Sequence, residues 1–122
     1  MIKCDYTKSI KLNSPWFEYV RDGIKLYEGR RNFGQSASFM IGDIILVSHY
    51  INLIETSFLV QIEHISKYAT FEESLNILPL EHVLPGVESI EVGVEIYKKF
   101  VSIETQLKDG ILMLKLKRVS SL

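Results

Sequence analysis

The sequence has a single cysteine, Cys4, among its 122 residues. One cysteine excludes an internal disulfide and is typical of a reducing compartment. The longest apolar run falls far short of the roughly 20 residues that a membrane-spanning helix needs. The first residues, MIKCDYTKSIK, also lack the apolar core of a signal peptide. These absences predict a soluble intracellular protein, cytoplasmic or nuclear, with no membrane partner.

The sequence also lacks an excess of charge of either sign. It contains 14 basic and 15 acidic residues, which gives a net charge of −1. A polyanion such as RNA would therefore have to bind a local basic patch rather than the whole surface. The chain is 47% hydrophobic and 24% charged, which is a globular composition. Because no linker or repeat interrupts it, we expect one domain over residues 1–122.

Recognisable metal and cofactor motifs are missing too. The three histidines, His49, His64 and His82, share no metal-ligand spacing. A metal site would need three or four ligands that converge on one point. Neither a phosphate-binding loop nor a GxSxG motif occurs, and the glycines do not follow a dinucleotide fingerprint. The sequence therefore predicts no metal and no cofactor.

The first helix signal is a serine followed by a proline. Ser14 is a candidate N-cap, with proline at the first helical position, and Gly23 is a candidate stop. These signals predict a helix over Pro15–Asp22. Trp16, near its start, is expected to be a core residue rather than a platform for a base.

Two further helices follow the middle strands. Thr70 and Glu73 form a capping-box pattern, which predicts a short helix that ends near Leu78. Ser89 is a candidate cap for a longer helix with one apolar face, running to Val101.

Alternating or apolar runs predict the strands Ile44–Ile51, Phe58–Ile65 and Ile111–Val119, with a loop at residues 52–57. In the last strand the inward side chains are expected to be those of Leu112, Leu114 and Leu116. The order of elements is strand, helix, three strands, two helices and a strand. It indicates an α+β domain built on a small, mostly antiparallel barrel, flanked by short helices.

The segment GIKLYEGRRN concentrates charge between the first helix and the next strand. Alternation would place Glu28 and Arg30 on one strand face, and Lys25, Tyr27 and Arg31 on the other. If partly buried, the first two would form a fixed polar centre. Alternatively, all of them would be surface charges on a solvated edge strand. Lys25 would reach Glu28 only through a kink just before the strand.

The chain resembles the ASCH domain family, whose fold is similar to that of the PUA RNA-modification domains. The resemblance covers residues 10–119 and depends on the order of short motifs along the chain. They are Gly23-x-Lys25-x-x-Glu28-x-Arg30, Gly42-Asp43-x-Ile45, Tyr68-x-Thr70-Phe71-Glu72-Glu73, Leu84-Pro85-Gly86, Ile96-Tyr97-Lys98-Lys99-Phe100 and Glu104. The chain looks most like the small single-domain members of bacteria and large DNA viruses.

This resemblance implies a PUA-like pseudo-barrel of five or six strands, with a helix-flanked cleft beside the GxKxxExR segment. PUA-like domains generally bind RNA or modified bases. Roles assigned to ASCH members are RNA binding, ribonuclease activity and hydrolysis of N4-acetylcytidine by small amidohydrolases. The proposed catalytic lysine of those amidohydrolases corresponds to Lys25, while Glu28 stands where they have a nucleophilic threonine. Their third residue, a glutamate, would be Glu81 or Glu88.

Two functions follow as expectations. The first is a module that binds RNA, a nucleotide or a nucleoside. In it, Lys25, Arg30 and Arg31 contact phosphates or base edges, and Tyr27 stacks on a base. The second is a small hydrolase acting on an acylated nucleobase or on RNA, in which Lys25 and Glu28 are catalytic. A purely structural domain with a protein partner is a third reading. The segment 32–40, rich in small polar residues, is expected to close over a ligand.

Overall fold

A computed structural model describes residues 8–119, so Cys4 lies outside the described residues. The strands are β1 Lys8–Lys11, β2 Tyr27–Arg31, β3 Ile44–Ile51, β4 Ile54–Tyr68 and β5 Ile111–Arg118. The α-helices are α1 Trp16–Arg21, α2 Phe71–Ile77, α3 Leu80–Val83, α4 Ile90–Lys98 and α5 Ile103–Asp109, and a 3-10 helix spans Gly34–Ser38. None of the helices within residues 8–119 is long and apolar enough to cross a membrane.

The strands form one sheet in the order β1-β3-β4-β5-β2. β1 pairs with β3 in parallel, and the other three pairings are antiparallel. A bulge in β4 near Glu63 shifts its register against β5. The sheet curls into a half-barrel, which confirms the predicted α+β pseudo-barrel with flanking short helices. β2 lies at one end of this sheet, and its outer edge is where the charged segment is found.

Two apolar clusters fill the space on either side of β5. Leu112, Leu114 and Leu116 face the first cluster, as the alternation predicted, together with side chains of β3, β4 and α1. Ile111 and Met113 face the second cluster, which is built mainly by the helices. The first half of β5 is thus buried on both faces, which explains why its sequence is a continuous apolar run.

The predicted caps of the later helices are confirmed. Thr70 Oγ1 accepts a hydrogen bond from the N–H of Glu73 at 3.2 Å. Ser89 Oγ accepts one from the N–H of Val92, also at 3.2 Å. The predicted cap at Ser14 is wrong, because its hydroxyl instead donates to the Glu18 side chain at 2.8 Å and α1 begins at Trp16.

The helix predicted to reach Val101 ends earlier, and a separate helix that the sequence did not predict follows it. α4 ends at Lys98, and Ser102 caps α5 by accepting from the N–H of Thr105 at 3.2 Å. The buried side chain of α5 that holds it in place is polar: Gln106 accepts from the N–H of Phe71 and donates to the carbonyl of Val101, both at 2.9 Å. A helix that buries an amide gives little apolar periodicity, so the sequence pattern did not predict it.

The loop predicted at residues 52–57 is also wrong. A two-residue turn, Asn52-Leu53, joins β3 to β4, with φ values of 50° and 67°. This is the backbone of a tight hairpin turn, which normally carries glycine at one of the two positions. Residues 54–57 form the first part of β4 but are exposed, so they show no alternation that would predict a strand.

Candidate ligand-binding site

A cavity of about 540 Å³ opens at the outer edge of β2, between that strand, α4 and the start of α1. Its floor contains the charged residues within and just before β2, and aromatic side chains form part of its walls. The lining residues include Lys25, Glu28, Gly29, Arg30, Arg31, Trp16, Phe33, Ser36, Phe71, Leu84, Ile96, Tyr97, Phe100 and Val101. The predicted charged segment and the predicted helix-flanked cleft therefore coincide.

The backbone kinks between α1 and β2, as the catalytic hypothesis required. Gly23 adopts a φ of 75° after α1, and the N–H groups of Ile24 and Lys25 both donate to the carbonyl of Tyr19, at 2.9 and 3.0 Å. Leu26 donates to the carbonyl of His82 at 2.8 Å. The strand begins only at Tyr27, so strand alternation does not govern Lys25, and its side chain meets that of Glu28.

Three charged side chains form a compact cluster. Lys25 Nζ donates to the carbonyl of Val83 and lies 3.6 Å from Oε1 of Glu28. Arg30 Nε donates to the other carboxylate oxygen at 2.9 Å, while its Nη2 donates to the carbonyl of Lys11 at 3.2 Å. Lys25 is 2% exposed and Glu28 8%. Of the two alternatives, the buried polar centre is therefore correct and the solvated edge strand is wrong.

Burial lowers the pKa of Lys25, and the neighbouring Glu28 carboxylate opposes that shift. The ammonium also lies 5.7 Å from the centre of the Trp16 ring, which attracts a cation over its face. Trp16 was predicted to be a core residue. It does pack against the second cluster, but it also lines the cavity, so it serves both roles.

An aromatic pair lines the cavity beside the charges. The rings of Phe71 and Tyr97 stack with 3.9 Å between their centres and an angle of 5° between their planes. They lie directly over Gly29, where a Cβ atom would be 2.8 Å from Phe71 Cε1 and 2.9 Å from the Tyr97 oxygen. Only a residue without a side chain fits at this point of the strand. The sequence offered no sign that Tyr97 would reach a cavity, since helical spacing predicts only a buried face.

Arg31 and Tyr27 lie outside the cluster of Lys25, Glu28 and Arg30. Arg31 lines the cavity but is paired with Asp109, at 2.6 Å from Nε, and its guanidinium lies 4.1 Å from the centre of the Phe33 ring. Tyr27 packs against the second core cluster instead. Phe33 and Ser36 bring part of segment 32–40 to the cavity mouth, with a 3-10 helix between residues 34 and 38.

Other candidate groups lie elsewhere. Glu81 and Glu88 do not contribute to the lining, so Glu28 is the one carboxylate among the described residues of the cavity wall. Within residues 8–119, no group of three or more His, Cys, Asp or Glu side chains is placed to hold a metal ion.

No family model and no curated protein sequence matches the chain. Among solved structures, it is similar to the hypothetical protein PH0355, with 30% identity over 91% of this chain and 97% of the other, and a TM-score of 0.80. It is also similar to the protein PF0455 from Pyrococcus furiosus, with 27% identity over 93% and 97% of the two chains and a TM-score of 0.75. The chain therefore belongs to the same family as PH0355. Neither of these names states an activity.

Proposed function

We propose that the chain binds RNA or a nucleotide in the cavity beside β2. The observation that carries this proposal is the Lys25–Glu28–Arg30 cluster at the floor of a cavity with aromatic walls. Charged donors and acceptors recognise phosphates and base edges, and aromatic rings stack on bases. The resemblance to ASCH domains supports the same function, since PUA-like domains generally bind RNA or modified bases.

The dimensions of the cavity suit such a ligand. Sites for small molecules typically enclose about 300–1,000 Å³ and combine apolar walls with a few polar groups. The cavity, at about 540 Å³, lies within that range and has both kinds of lining. Trp16 and Phe33 supply flat apolar surfaces, and stacking of a base on one ring stabilises binding by about 1–3 kcal/mol.

Each charged residue has a distinct role in this proposal. Arg30 is the best-placed phosphate or base-edge donor, because Glu28 fixes its guanidinium from one side while it still lines the cavity. Lys25 adds a buried positive charge behind it. Arg31 is already neutralised by Asp109, so its guanidinium acts mainly as a flat surface together with Phe33.

Titration of labelled single-stranded RNA, hairpin RNA and nucleoside monophosphates at several salt concentrations tests the proposal. We expect Arg30→Ala to weaken binding by about tenfold. The slope of the logarithm of affinity against the logarithm of salt concentration should also become smaller by about one. Arg21→Ala is the matched control, because the Arg21 side chain is 41% exposed and lies outside the cavity lining. Absence of binding, binding insensitive to salt, or an equal effect of both variants would contradict the proposal.

A hydrolase is the second candidate, favoured by one observation: Lys25 and Glu28 do converge on one cavity. In that reaction Glu28 would accept a proton from water, which attacks the acyl carbon of an acylated nucleobase. The C–N bond breaks, and the free amine takes up a proton. We rank this function second because both carboxylate oxygens already contact cations, whereas a general base must face the water that it activates.

Chromatography of N4-acetylcytidine after incubation with the protein tests the hydrolase. The hydrolase hypothesis requires that cytidine and acetate form with the natural sequence and not with Lys25→Ala. If no product forms, or if Lys25→Ala is equally active, this second function is wrong while the binding function stands.

A further inference from the structure

The hydroxyl of Tyr97 is buried in the cavity wall without a hydrogen-bond partner among residues 8–119. The residue is only 8% exposed, and it lines the cavity. A buried hydroxyl without a partner costs about 1–3 kcal/mol, and most such groups in native proteins are paired. A group that the fold leaves unpaired in a cavity is a candidate contact for a ligand.

The surroundings of this hydroxyl favour an uncharged ligand atom. The Tyr97 ring is stacked on Phe71, and Leu84, Ile96 and Val101 also line the cavity. The two charges that act on the hydroxyl, Glu28 and Arg30, are paired with each other. A phosphate at the hydroxyl would lose its water and face the Glu28 carboxylate, so we place the phosphate at the Arg30 guanidinium instead. A flat, neutral ring can enter such a space at much lower cost.

The edge of β2 offers further hydrogen-bonding groups beside the hydroxyl. Asn32 donates to the carbonyl of Gly110 at 3.1 Å, and Leu116 donates to that of Leu26 at 2.8 Å. Because peptide groups alternate in an antiparallel pair, those of Glu28 and Arg30 also face β5. The N–H and C=O of Gly29 therefore point outward, toward the open edge of the strand where the cavity lies.

We propose that the Tyr97 hydroxyl donates to a ring carbonyl of the bound base, and that the outward carbonyl of Gly29 accepts from the adjoining ring N–H. The site then selects bases with a C(=O)–N(H) edge over adenine. An amine could donate to the hydroxyl oxygen, but it would leave the hydroxyl proton unpaired in an apolar space. This inference rests on the proposed function, because it specifies part of the same ligand.

The ionisation of Tyr97 is consistent with a donor. Burial raises the pKa of its hydroxyl well above the ordinary value, and the nearby Glu28 carboxylate contributes to the same shift. The hydroxyl consequently keeps its proton across the whole neutral range. Glycine at position 29 leaves room for the hydroxyl next to the strand, since a Cβ atom there would collide with the Tyr97 oxygen.

Calorimetric titration with inosine 5′-monophosphate and adenosine 5′-monophosphate tests the inference. The two ligands share sugar and phosphate and differ only in the edge of the base. We expect the inosine nucleotide to bind about tenfold more tightly, which is the effect of one buried hydrogen bond. In Tyr97→Phe, the affinity for the inosine nucleotide should fall toward that for the adenosine nucleotide, which itself should change less than about twofold. The protein should also bind inosine more tightly than adenosine, by the same factor, because these nucleosides lack the phosphate and the proposed acceptor is on the base.

The outcomes separate this inference from the function on which it rests. If both nucleotides bind equally and Arg30→Ala weakens both, the binding function stands and the role of Tyr97 is wrong. If neither nucleotide nor RNA binds, both proposals fail. An equal loss for both ligands in Tyr97→Phe indicates a merely structural role and overturns the inference. The preference of the natural sequence is a test in its own right, independent of whether the variant folds.

Discussion

Lys25 and Glu28 form a buried ion pair across the first residue of β2, with 3.6 Å between Nζ and Oε1. Glu28 also accepts from Arg30 at 2.9 Å, so one carboxylate serves two cations. Three charges with a surplus of one positive charge are thus held at the floor of the cavity. Removing the carboxylate would leave the most deeply buried cation with one backbone carbonyl as hydrogen-bond partner and no opposite charge.

We therefore expect Glu28→Gln to lower the free energy of unfolding by about 3 kcal/mol, because it leaves a buried ammonium uncompensated. Urea denaturation at neutral pH measures the loss. The double variant with Lys25→Met should lose less than Glu28→Gln alone, since it buries no lone charge. Glu95→Gln is the matched control: it breaks the exposed pair with Lys98 and should change stability by less than about 0.5 kcal/mol.

The lowered pKa of Lys25 predicts a pH dependence of stability. Burial places the pKa in the folded protein below the ordinary 10.5, so between those two values the unfolded chain binds more protons. The free energy of unfolding should then rise with pH through that window. The difference in free energy of unfolding between the natural sequence and Lys25→Met isolates the effect of this one group. It should be constant at lower pH and shift in favour of the natural sequence as pH approaches 10.5. A flat difference throughout would show that the lysine is not buried.

The raised pKa of Tyr97 predicts that the free energy of unfolding falls, rather than rises, with pH in a higher range. Its folded pKa is raised above the ordinary 10.0, so above that pH the unfolded chain loses a proton that the folded protein keeps. Stability should therefore fall as pH rises beyond 10. Denaturation of Tyr97→Phe at the same pH values provides the comparison, because the phenylalanine variant lacks this contribution. An identical alkaline decline in both proteins would mean that another group is responsible.

Gly29→Ala should destabilise the protein by about 1–3 kcal/mol through overpacking. The new Cβ would stand 2.8 Å from Phe71 Cε1 and 2.9 Å from the Tyr97 oxygen, so one ring must move. Thermal denaturation measures the cost. In a Tyr97→Phe background the same change should cost less, because one of the two collisions is gone. Equal costs in the two backgrounds would place the strain on Phe71 and Met113, whose Cε would lie 3.1 Å from the new Cβ.

Leu53→Gly should raise the free energy of unfolding by about 1 kcal/mol. Leu53 is held at a φ of 67°, which is unfavourable for a side chain with a Cβ and easy for glycine. The side chain is 98% exposed, so almost no apolar contact is lost. Ile54→Gly on the neighbouring strand is the control and should destabilise, since it gains no relief of strain. A loss of stability in Leu53→Gly would show that the leucine side chain makes a stabilising contact.

Local signals predicted the parts of the fold that depend on local chemistry. The caps at Thr70 and Ser89 form as expected, because a hydroxyl and a backbone N–H three residues away need nothing else. The same reasoning failed at Ser14, whose hydroxyl found a competing partner in Glu18. It also missed the strand residues 54–57, which are held by pairing with β3 rather than by an alternating pattern.

The amino-acid sequence by itself determined the class of fold, the position of the charged segment and the placement of Glu28 and Arg30 on one strand face, since all three follow from spacing along one chain. The sequence left open whether these two side chains are buried and paired, and the tertiary structure decided that they are. Only the tertiary structure decided that Lys25 turns toward Glu28, because that direction depends on the carbonyls of Tyr19 and His82 that bend the backbone before β2. It also decided that Tyr97 and Phe71 close the cavity over Gly29. Contacts between residues dozens of positions apart are set by packing, and no short pattern along the chain encodes them.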